Sequence, residues 1–260
     1  MRVILTRPER EAGRWLASLA AHGIDACALP LISIAAVPDA ARLQAAWNGL
    51  EAFDAVMFVS GSAVQHFFEA NSAKPRVGGS KFAIKTRAWA PGPGTAAALA
   101  DAGVPLAAID APDRDAGQFD SESLWQQVAG QARPGARVLI VRGGDAQGQG
   151  AGRDWLAAQL VAAGVQVDTV VAYLRRAPHW HAQQLALAAQ ATADGWPWLF
   201  SSSQAIANLG VLLPQQDWSA ARAVATHPRI AQAARTAGFG VVCESRPTVE
   251  AIVAALKSMR

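Results

Sequence analysis

Two arginines follow predicted strands at matching places in the chain. Arg7 comes shortly after the apolar run at residues 3–5, and Arg142 directly follows the run at residues 138–141. A guanidinium group holds a carboxylate through two parallel N–H bonds, so the pair predicts an anionic ligand. Either residue taken alone is better explained as solvated surface charge, and it is their recurrence at matching places that favours the anion-binding role for this pair. Both interpretations also apply to arginines near other predicted strand or helix ends: Arg153, Arg175, Arg176 and Arg229.

Hydroxyl side chains stand where predicted strands lead into predicted helices. Residues 60–62 (Ser-Gly-Ser) and 201–203 (three serines) each follow a strand, and Thr95 opens a further helix. Such residues usually cap helices. The unpaired N–H groups and partial positive charge at a helix N-terminus also make these turns anion sites. No Gly-x-Ser-x-Gly motif surrounds the serines, which argues against a hydrolase nucleophile.

The chain contains one tyrosine, Tyr173, at the end of a predicted strand over residues 167–173. Open α/β sheets bind their ligands at the carboxyl ends of strands. The phenol is therefore either a hydroxyl that contacts the ligand or a packing residue with one wet end.

A glycine turn offers an alternative ligand. Residues 92–97 (GPGTAA) fit the G-x-G-x-x-A pattern of dinucleotide-binding turns, and Asp110 lies near the place of a ribose-binding acid. Pro93 stiffens this turn, and the matching turn HPRIAQ lacks the glycines. The glycine run at 143–152 lacks the G-K-[ST] ending of a phosphate loop and is predicted to be a mobile loop.

Composition excludes several classes of protein. The 260 residues are 52% apolar and 17% charged, which is enough for a large core and argues against disorder. The net charge is +3 with scattered basic residues, so nucleic acid is not an expected partner. No membrane span or signal peptide is expected. Cys27 and Cys243 lie in β-like runs and are predicted to be buried thiols in a reducing cytoplasm.

Strands alternate with helices along the whole chain. Residues 138–173, for example, read as a strand, a glycine turn, a helix over about 154–163 and a second strand, which is a βαβ unit. This alternation predicts parallel sheets with helices on both faces. About ten strands exceed what one doubly wound domain of this length carries, so two small domains are expected.

An internal repeat supports the division. VILTRP at Val3 matches VLIVRG at Val138, and PGTAAALADAG at Pro93 matches PRIAQAARTAG at Pro228, both 135 residues apart. FVSGSAV at residue 58 matches FSSSQAI 142 residues later. Each half therefore carries the same three kinds of turn, and two matched sets predict a ligand with many carboxylates.

The ordered set of motifs VILTRP, FVSGSAV, PGPGTAAAL, RVLIVRG, VVAYLR, FSSSQAIANL and ATHPRIAQAARTAGF resembles the uroporphyrinogen-III synthase family over essentially the whole chain. The resemblance implies an α/β fold of two flavodoxin-like, doubly wound parallel-sheet domains, joined by a two-strand linker, with the substrate in a cleft between them. Domain 1 would comprise residues 1–36 and 176–260, and domain 2 residues 41–171, with linkers near 37–40 and 172–175.

The family closes the linear tetrapyrrole hydroxymethylbilane into uroporphyrinogen III, inverting ring D and losing water. The resemblance thus implies a cytoplasmic lyase of haem biosynthesis, with no cofactor or metal and no nucleic acid or membrane partner. A monomer is expected, and transient contact with the preceding pathway enzyme is left open. Two other functions stay open: a binding or sensor protein for an organic anion, and a dinucleotide-dependent enzyme using residues 92–110.

The resemblance also assigns the site residues. Tyr173 matches the family's tyrosine, expected to assist departure of the substrate hydroxyl; a phenol is a weak acid and donates a hydrogen bond more readily than a full proton. Ile230 stands where some members have threonine, so that hydroxyl is either unnecessary or replaced by His227. The expected substrate-binding set is Thr6, Arg7, Ser60, Gly61, Ser62, Thr95, Arg142, Gly143, Arg153, Ser202, Ser203, His227 and Arg229.

Overall fold

The computed structural model describes residues 2–71, 86–113, 116–150 and 154–259. Its strands are β1 Arg2–Leu5, β2 Asp25–Ala28, β3 Ser33–Ala36, β4 Ala55–Phe58, β5 Arg87–Trp89, β6 Ile109–Asp110, β7 Arg137–Gly144, β8 Gln166–Arg176, β9 Trp198–Phe200, β10 Arg222–Ala225 and β11 Val241–Glu244. Its α-helices are α1 Glu9–Ala21, α2 Ala41–Asn48, α3 Gly61–Glu69, α4 Pro93–Asp101, α5 Ser121–Val128, α6 Trp155–Ala162, α7 Ala182–Ala193, α8 Ser203–Leu212, α9 Pro228–Thr236 and α10 Val249–Ser258. Short 3-10 turns cover Leu50–Ala52, Leu106–Ala108 and Ala129–Gln131.

The chain divides into two compact units. Unit 1 comprises Met1–Ser33 and Arg176–Arg260, and unit 2 comprises Ile34–Arg175. Unit 1 contains a five-stranded sheet in the order β11-β10-β9-β1-β2, and unit 2 a six-stranded sheet in the order β3-β8-β7-β4-β5-β6. The pairings of β1, β2 and β9–β11 in the first sheet and of β4–β8 in the second are parallel.

The sequence repeat becomes a structural repeat in these sheets. It equates β1 with β7, β9 with β4 and β10 with β5. With those equivalences, β2-β1-β9-β10-β11 and β8-β7-β4-β5-β6 are the same spatial order. This is the 2-1-3-4-5 order of flavodoxin-like folds. In unit 2 the β7-α6-β8 segment comes last in the chain, so one unit is a circular permutation of the other.

The α/β class with doubly wound, flavodoxin-like sheets is confirmed. The neighbouring strands β2 and β3 belong to different sheets, because β2 lies in the first sheet and β3 borders the second. The expected end of the strand at residue 173 was wrong, because β8 continues to Arg176. Tyr173 therefore lies within a strand rather than at its end.

Each sheet is covered on both faces, as a doubly wound sheet requires. In unit 2 all four residues of β4 are buried. Val56 and Phe58 join one apolar cluster, while Ala55 and Met57 join another on the opposite face. In unit 1, Val3 and Leu5 pack with α1 and α10. A separate cluster in unit 1 consists of aromatic rings: Trp198, Phe200, Trp218 and Phe239.

Parallel pairing brings the carboxyl ends of neighbouring strands to one edge of each sheet. In unit 1 the turns after β1, β9 and β10 carry Thr6 with Arg7, residues 201–203, and His227. In unit 2 the corresponding edge carries Ser60 after β4, the turn 92–95 after β5, and residues 142–143 in β7. None of the helices within the described ranges has the length and apolar character needed to cross a membrane.

Candidate active site

The ring of Tyr173 is placed by an irregularity in the β7–β8 pairing. Arg142 pairs with Val171, but Gly143 pairs with Tyr173, so Ala172 is an extra residue on β8. A bulge of this kind re-aims the side chains that follow it. In a regular register Ala172 would stand opposite Gly143; the bulge brings Tyr173 there instead.

Gly143 provides the surface on which this ring lies. A Cβ at Gly143 would lie 2.7 Å from Cζ of Tyr173 and 2.9 Å from its hydroxyl oxygen. Real Cβ atoms do not approach other heavy atoms this closely, so only glycine allows the main chain of β7 to contact the phenol. The predicted site residue Gly143 therefore contributes to the site because it has no Cβ that would displace the phenol ring.

The phenol is both a packing residue and a polar group. Tyr173 is 3% exposed and belongs to the apolar cluster that includes Phe58 and Val141. Its hydroxyl lies 3.1 Å from Oγ of Ser60, and either oxygen can be the donor. The two interpretations that the sequence left open for Tyr173 therefore apply to different ends of one side chain.

Ser60 links the phenol to the start of α3. It is the N-cap residue, and its Oγ accepts a hydrogen bond from the backbone N–H of Ala63 at 3.2 Å. The cap fixes the serine rotamer and places the partial positive charge of the helix start near the two hydroxyls. Where Ser60 donates to Tyr173, the phenolic proton is left to be donated elsewhere.

One buried side chain beside the phenol was missed by the sequence analysis. His66 lies on α3, is 9% exposed, and stacks on Tyr173 with ring centroids 5.7 Å apart and planes inclined by 23°. Its spacing is the only signal that could have found it, because residue 66 lies on the same buried helix face as Ala63 and Phe67. A single histidine on an apolar face is ordinarily interpreted as core.

Arg142 is already paired within unit 2. Its Nη1 lies 2.5 Å from Oδ1 of Asp154, and the arginine side chain is 9% exposed whereas the aspartate is 73% exposed. Gly150 packs on the arginine stem, since a Cβ there would lie 3.3 Å from its Cδ. The predicted carboxylate site is therefore filled by a carboxylate of the same chain, carried by an exposed residue.

Arg7, the repeat partner of Arg142, is held in the same way. It pairs with Glu11 at 3.2 Å and lies over the ring of Trp15, 4.2 Å from the centroid. Burial lowers the pKa of this guanidinium, against the opposing effect of Glu11. In both arginines Nε is buried with no acceptor among the described residues. Each strand-end arginine thus pairs with an acid that follows it in the chain.

The other predicted residues of unit 1 divide into structural and accessible groups. The hydroxyl of Thr6 is fully buried and donates to the carbonyl of Leu199 at 2.7 Å, which ties β1 to β9. Ser202 is the N-cap of α8 but makes no side-chain cap bond, and Ser203 follows it in an exposed position. The hydroxyl of Ser202 is therefore not used for capping.

His227 and Arg229 lie side by side at the start of α9. His227 caps the helix, its Nδ1 accepting from the backbone N–H of Arg229 at 3.1 Å. Its Nε2 lies 3.2 Å from Nη2 of Arg229. Ile230, where some family members have threonine, is 8% exposed and packs into the core of unit 1. The polar groups of this turn are thus the imidazole and the guanidinium.

In unit 2, Thr95 lies buried in the first turn of α4, close behind the Gly92 cap. Gly61 and Ser62 form the first turn of α3, directly after the Ser60 cap. The structure thus brings Ser60, Gly143 and Tyr173 into contact. Arg153 lies outside the described residues.

In the dinucleotide alternative, Asp110 was expected to bind a ribose, but its carboxylate is bound by other side chains of the chain. Asp110 receives a hydrogen bond from Nε of Arg87 at 2.8 Å, pairs through its other oxygen with Nη2 of the same arginine, and accepts from Gln131 at 3.1 Å. This hydrogen bonding raises the pKa of Arg87. Gly92 is also covered, since a Cβ there would lie 3.0 Å from Phe119. Both carboxylate oxygens of Asp110 are engaged, so the ribose-binding role is not favoured.

Fold and site together define an α/β protein of the doubly wound class, with two sheets of one spatial order and polar groups near the carboxyl ends of the strands. The family model described as Uroporphyrinogen-III synthase HemD matches residues 13–254. The chain belongs to the uroporphyrinogen-III synthase family, whose members are enzymes of haem biosynthesis. The predicted family is confirmed.

Two solved structures share this fold. One is a methionine-substituted variant of uroporphyrinogen III synthase from the extremely thermophilic bacterium Thermus thermophilus, with a TM-score of 0.58 and 19% identity, covering 100% of this chain and 97% of that one. The other is uroporphyrinogen-III synthetase from Helicobacter pylori, with a TM-score of 0.61 and 16% identity, covering 100% of both chains. At such identities the likeness concerns the fold alone.

Gly143→Ala is expected to displace the phenol. The added methyl group overlaps the Tyr173 ring, so the ring must leave Ser60, at a cost of about 1–3 kcal/mol in unfolding free energy. Gly144→Ala is the matched control, because its Cβ would instead meet Cγ1 of Val171 at 2.8 Å. Turnover and melting temperature of both variants provide the test. Equal activity in two equally destabilised variants would contradict a specific role for the Gly143 contact.

Proposed function

We propose that this protein is a hydro-lyase that cyclises hydroxymethylbilane to uroporphyrinogen III, with inversion of ring D and loss of water. The observation that carries the proposal is the contact between the hydroxyls of Tyr173 and Ser60. These two side-chain hydroxyls lie within hydrogen-bonding distance of each other, at 3.1 Å. Gly143 makes room for the Tyr173 ring in this contact, and the chain belongs to the synthase family.

The reaction needs one proton to enter and one to leave. The hydroxyl of the ring A hydroxymethyl group takes up a proton and departs as water, which leaves an azafulvene cation. The substituted carbon of ring D attacks this cation and forms a spiro intermediate. The bond between that carbon and the methylene bridge to ring C then breaks, which leaves a second azafulvene cation on ring C. The unsubstituted α-carbon of ring D attacks this cation and loses its hydrogen as a proton, which closes the macrocycle with ring D inverted and restores the aromatic pyrrole. The net change is loss of water, so no redox cofactor is required.

Tyr173 is proposed to donate a hydrogen bond to the departing hydroxyl. Ser60 supports this role by donating in turn to the phenolic oxygen, which leaves the Tyr173 proton pointing at the substrate. A chain of two hydroxyls strengthens the terminal donor, because each hydrogen bond polarises the next. The Ser60 cap bond to Ala63 keeps the chain in one orientation.

The strand-end turns are proposed to bind the substrate's carboxylates. The starts of α3, α4, α8 and α9 each present helix N–H groups, with the predicted residues Gly61, Ser62, Thr95, Ser202, Ser203, His227 and Arg229 in or beside those turns. Helix N-termini favour anions. Within either unit, several contacts of this kind restrict the conformation of a flexible polyanion, which supplies rate without a strong acid.

Arg142 is proposed to exchange partners when substrate binds. Its present partner, Asp154, is mostly exposed, so a substrate carboxylate can replace it at low cost in desolvation. Arg7 is held more firmly, because Glu11 and the Trp15 ring both contact it.

We further propose that the protein works as a cytoplasmic monomer, with the small-molecule substrate as its main partner.

Product analysis tests the proposed function. The protein is incubated with freshly made hydroxymethylbilane, and the uroporphyrinogen isomers are separated after oxidation. We expect the type III isomer, because only catalysed closure inverts ring D. If only the spontaneous type I ring accumulates, the chain binds an organic anion without chemistry, and the proposal is wrong.

Tyr173→Phe is expected to slow type III formation on the order of 10- to 100-fold. The substitution removes only the hydroxyl and keeps the packed ring, so the melting temperature should change little. Ser60→Ala should lose less activity but also about 1 kcal/mol of stability with the helix cap. If the two hydroxyls act as one unit, the double variant is no slower than Tyr173→Phe. Additive losses would argue for independent roles.

Asp154→Asn is expected to lower the KM for hydroxymethylbilane, because it removes the charge that competes with substrate for Arg142 while keeping an acceptor. Arg142→Ala should raise KM several-fold. Arg137→Ala is the matched control, since it removes the ion pair with Asp168 at the opposite end of the same strand. A KM unchanged in both site variants, with a lower melting temperature in Arg142→Ala, would restrict Arg142 to a structural role.

A further inference from the structure

One buried polar side chain beside the phenol, His66, has no role in the proposed mechanism. His66 is 9% exposed, and Phe67, the next residue on α3, is fully buried. Burying an imidazole costs free energy relative to an apolar side chain, unless the ring makes specific contacts. The contacts of His66 therefore bear on why a histidine stands at this position.

The imidazole makes a flat contact with the phenol. The ring planes of His66 and Tyr173 are inclined by 23°, and their centroids lie 5.7 Å apart, which is an offset stack. One edge of the imidazole faces the carboxylate of Glu69, with Nδ1 3.9 Å from Oε2. The face of the ring is thus turned to the tyrosine while an edge is turned to its own helix.

One helix supplies both groups that hold the phenol. Ser60 caps α3 and meets the phenolic oxygen, while His66 lies on the buried face of the same helix and covers the ring. Gly143 on β7 lies against the ring at Cζ, Cε2 and the hydroxyl oxygen. Rotation about the Cα–Cβ bond of Tyr173 would carry the hydroxyl away from Ser60, and it would have to displace the imidazole, the main chain of Gly143, or both.

We propose that His66 is a positioning residue for the cyclisation, which stacks on Tyr173 and keeps the phenolic oxygen within hydrogen-bonding distance of Ser60. This inference rests on the proposed function. The stacked face, and not a nitrogen atom, carries the effect. A flat apolar ring at position 66 should therefore preserve the role, and an aliphatic side chain of similar volume should not.

Two variants separate these possibilities, and both keep the site filled. His66→Phe retains a flat ring, whereas His66→Leu retains volume without one. We expect kcat for type III formation to fall about two- to tenfold in His66→Leu, with little change in KM, and to stay within about twofold of the parent in His66→Phe. Phe68→Leu is the matched control on α3, because its ring packs against Trp47 and Phe58. It should change the melting temperature without this loss of kcat.

The phenol can also be observed directly, because the chain contains one tyrosine. Protein with isotope-labelled tyrosine gives a single set of ring signals, and their line shapes report the rate at which the ring flips. A flip leaves the hydroxyl oxygen in place but requires the neighbouring groups to move aside, so its rate reports how tightly they hold the ring. We expect faster flipping in His66→Leu than in the parent protein or in His66→Phe. A role confined to the stability of α3 would lower the melting temperature and leave the flip rate unchanged.

The outcomes distinguish this inference from the proposed function. Parent-like kcat and flip rate in His66→Leu would overturn the positioning role. Equal losses in His66→Phe and His66→Leu would also overturn it, since a nitrogen atom would then be required. If the parent protein forms no type III isomer, the proposed function fails, while the flip rates still decide whether His66 restrains Tyr173.

Discussion

The contact between the Tyr173 ring and the main chain of Gly143 is the constraint on which the candidate site depends. A phenol can lie against a strand only where no Cβ intervenes, and a Cβ at Gly143 would overlap it. The bulge at Ala172 brings the ring to this place, and the hydrogen bond with Ser60 fixes its outer end. The three features are coupled, because the ring cannot reach Ser60 unless the glycine and the bulge put it there.

The permuted repeat explains where such a site can form. Both sheets have the same spatial order, so each unit presents equivalent strand ends at one edge. At the β1 and β7 positions this equivalence extends to side chains, because Arg7 and Arg142 each pair with an acid later in the chain. The shared feature is thus an edge of helix starts and anchored arginines, which suits anions and is not by itself catalytic.

Much of the fold and part of the site could be predicted from the sequence. Apolar runs, turn residues and helix caps are local signals, so the strand–helix order and the repeat were visible in it. The length of β8 and the bulge at Ala172 depend on pairing with β7, which no local pattern encodes. The partner of Arg142 lies 12 residues away across a turn, and a buried histidine resembles core until its neighbour is known. Tyr173, Ser60 and Gly143 were predicted separately, but their mutual contact was not.

The two units differ at one position that the repeat should have made equivalent. The strand-end segment after β2, which corresponds to the Tyr173 region of β8, reads Leu29, Pro30, Leu31 and Ile32 and carries no hydroxyl. In unit 1 this segment is held by bonds to its backbone, from Trp180 to the Pro30 carbonyl and from Asn208 to the Leu31 carbonyl. The matching place in unit 2 instead holds a side-chain hydroxyl pair. The permuted units therefore share an anion-binding edge, while the phenol, and with it the proposed chemistry, belongs to unit 2 alone.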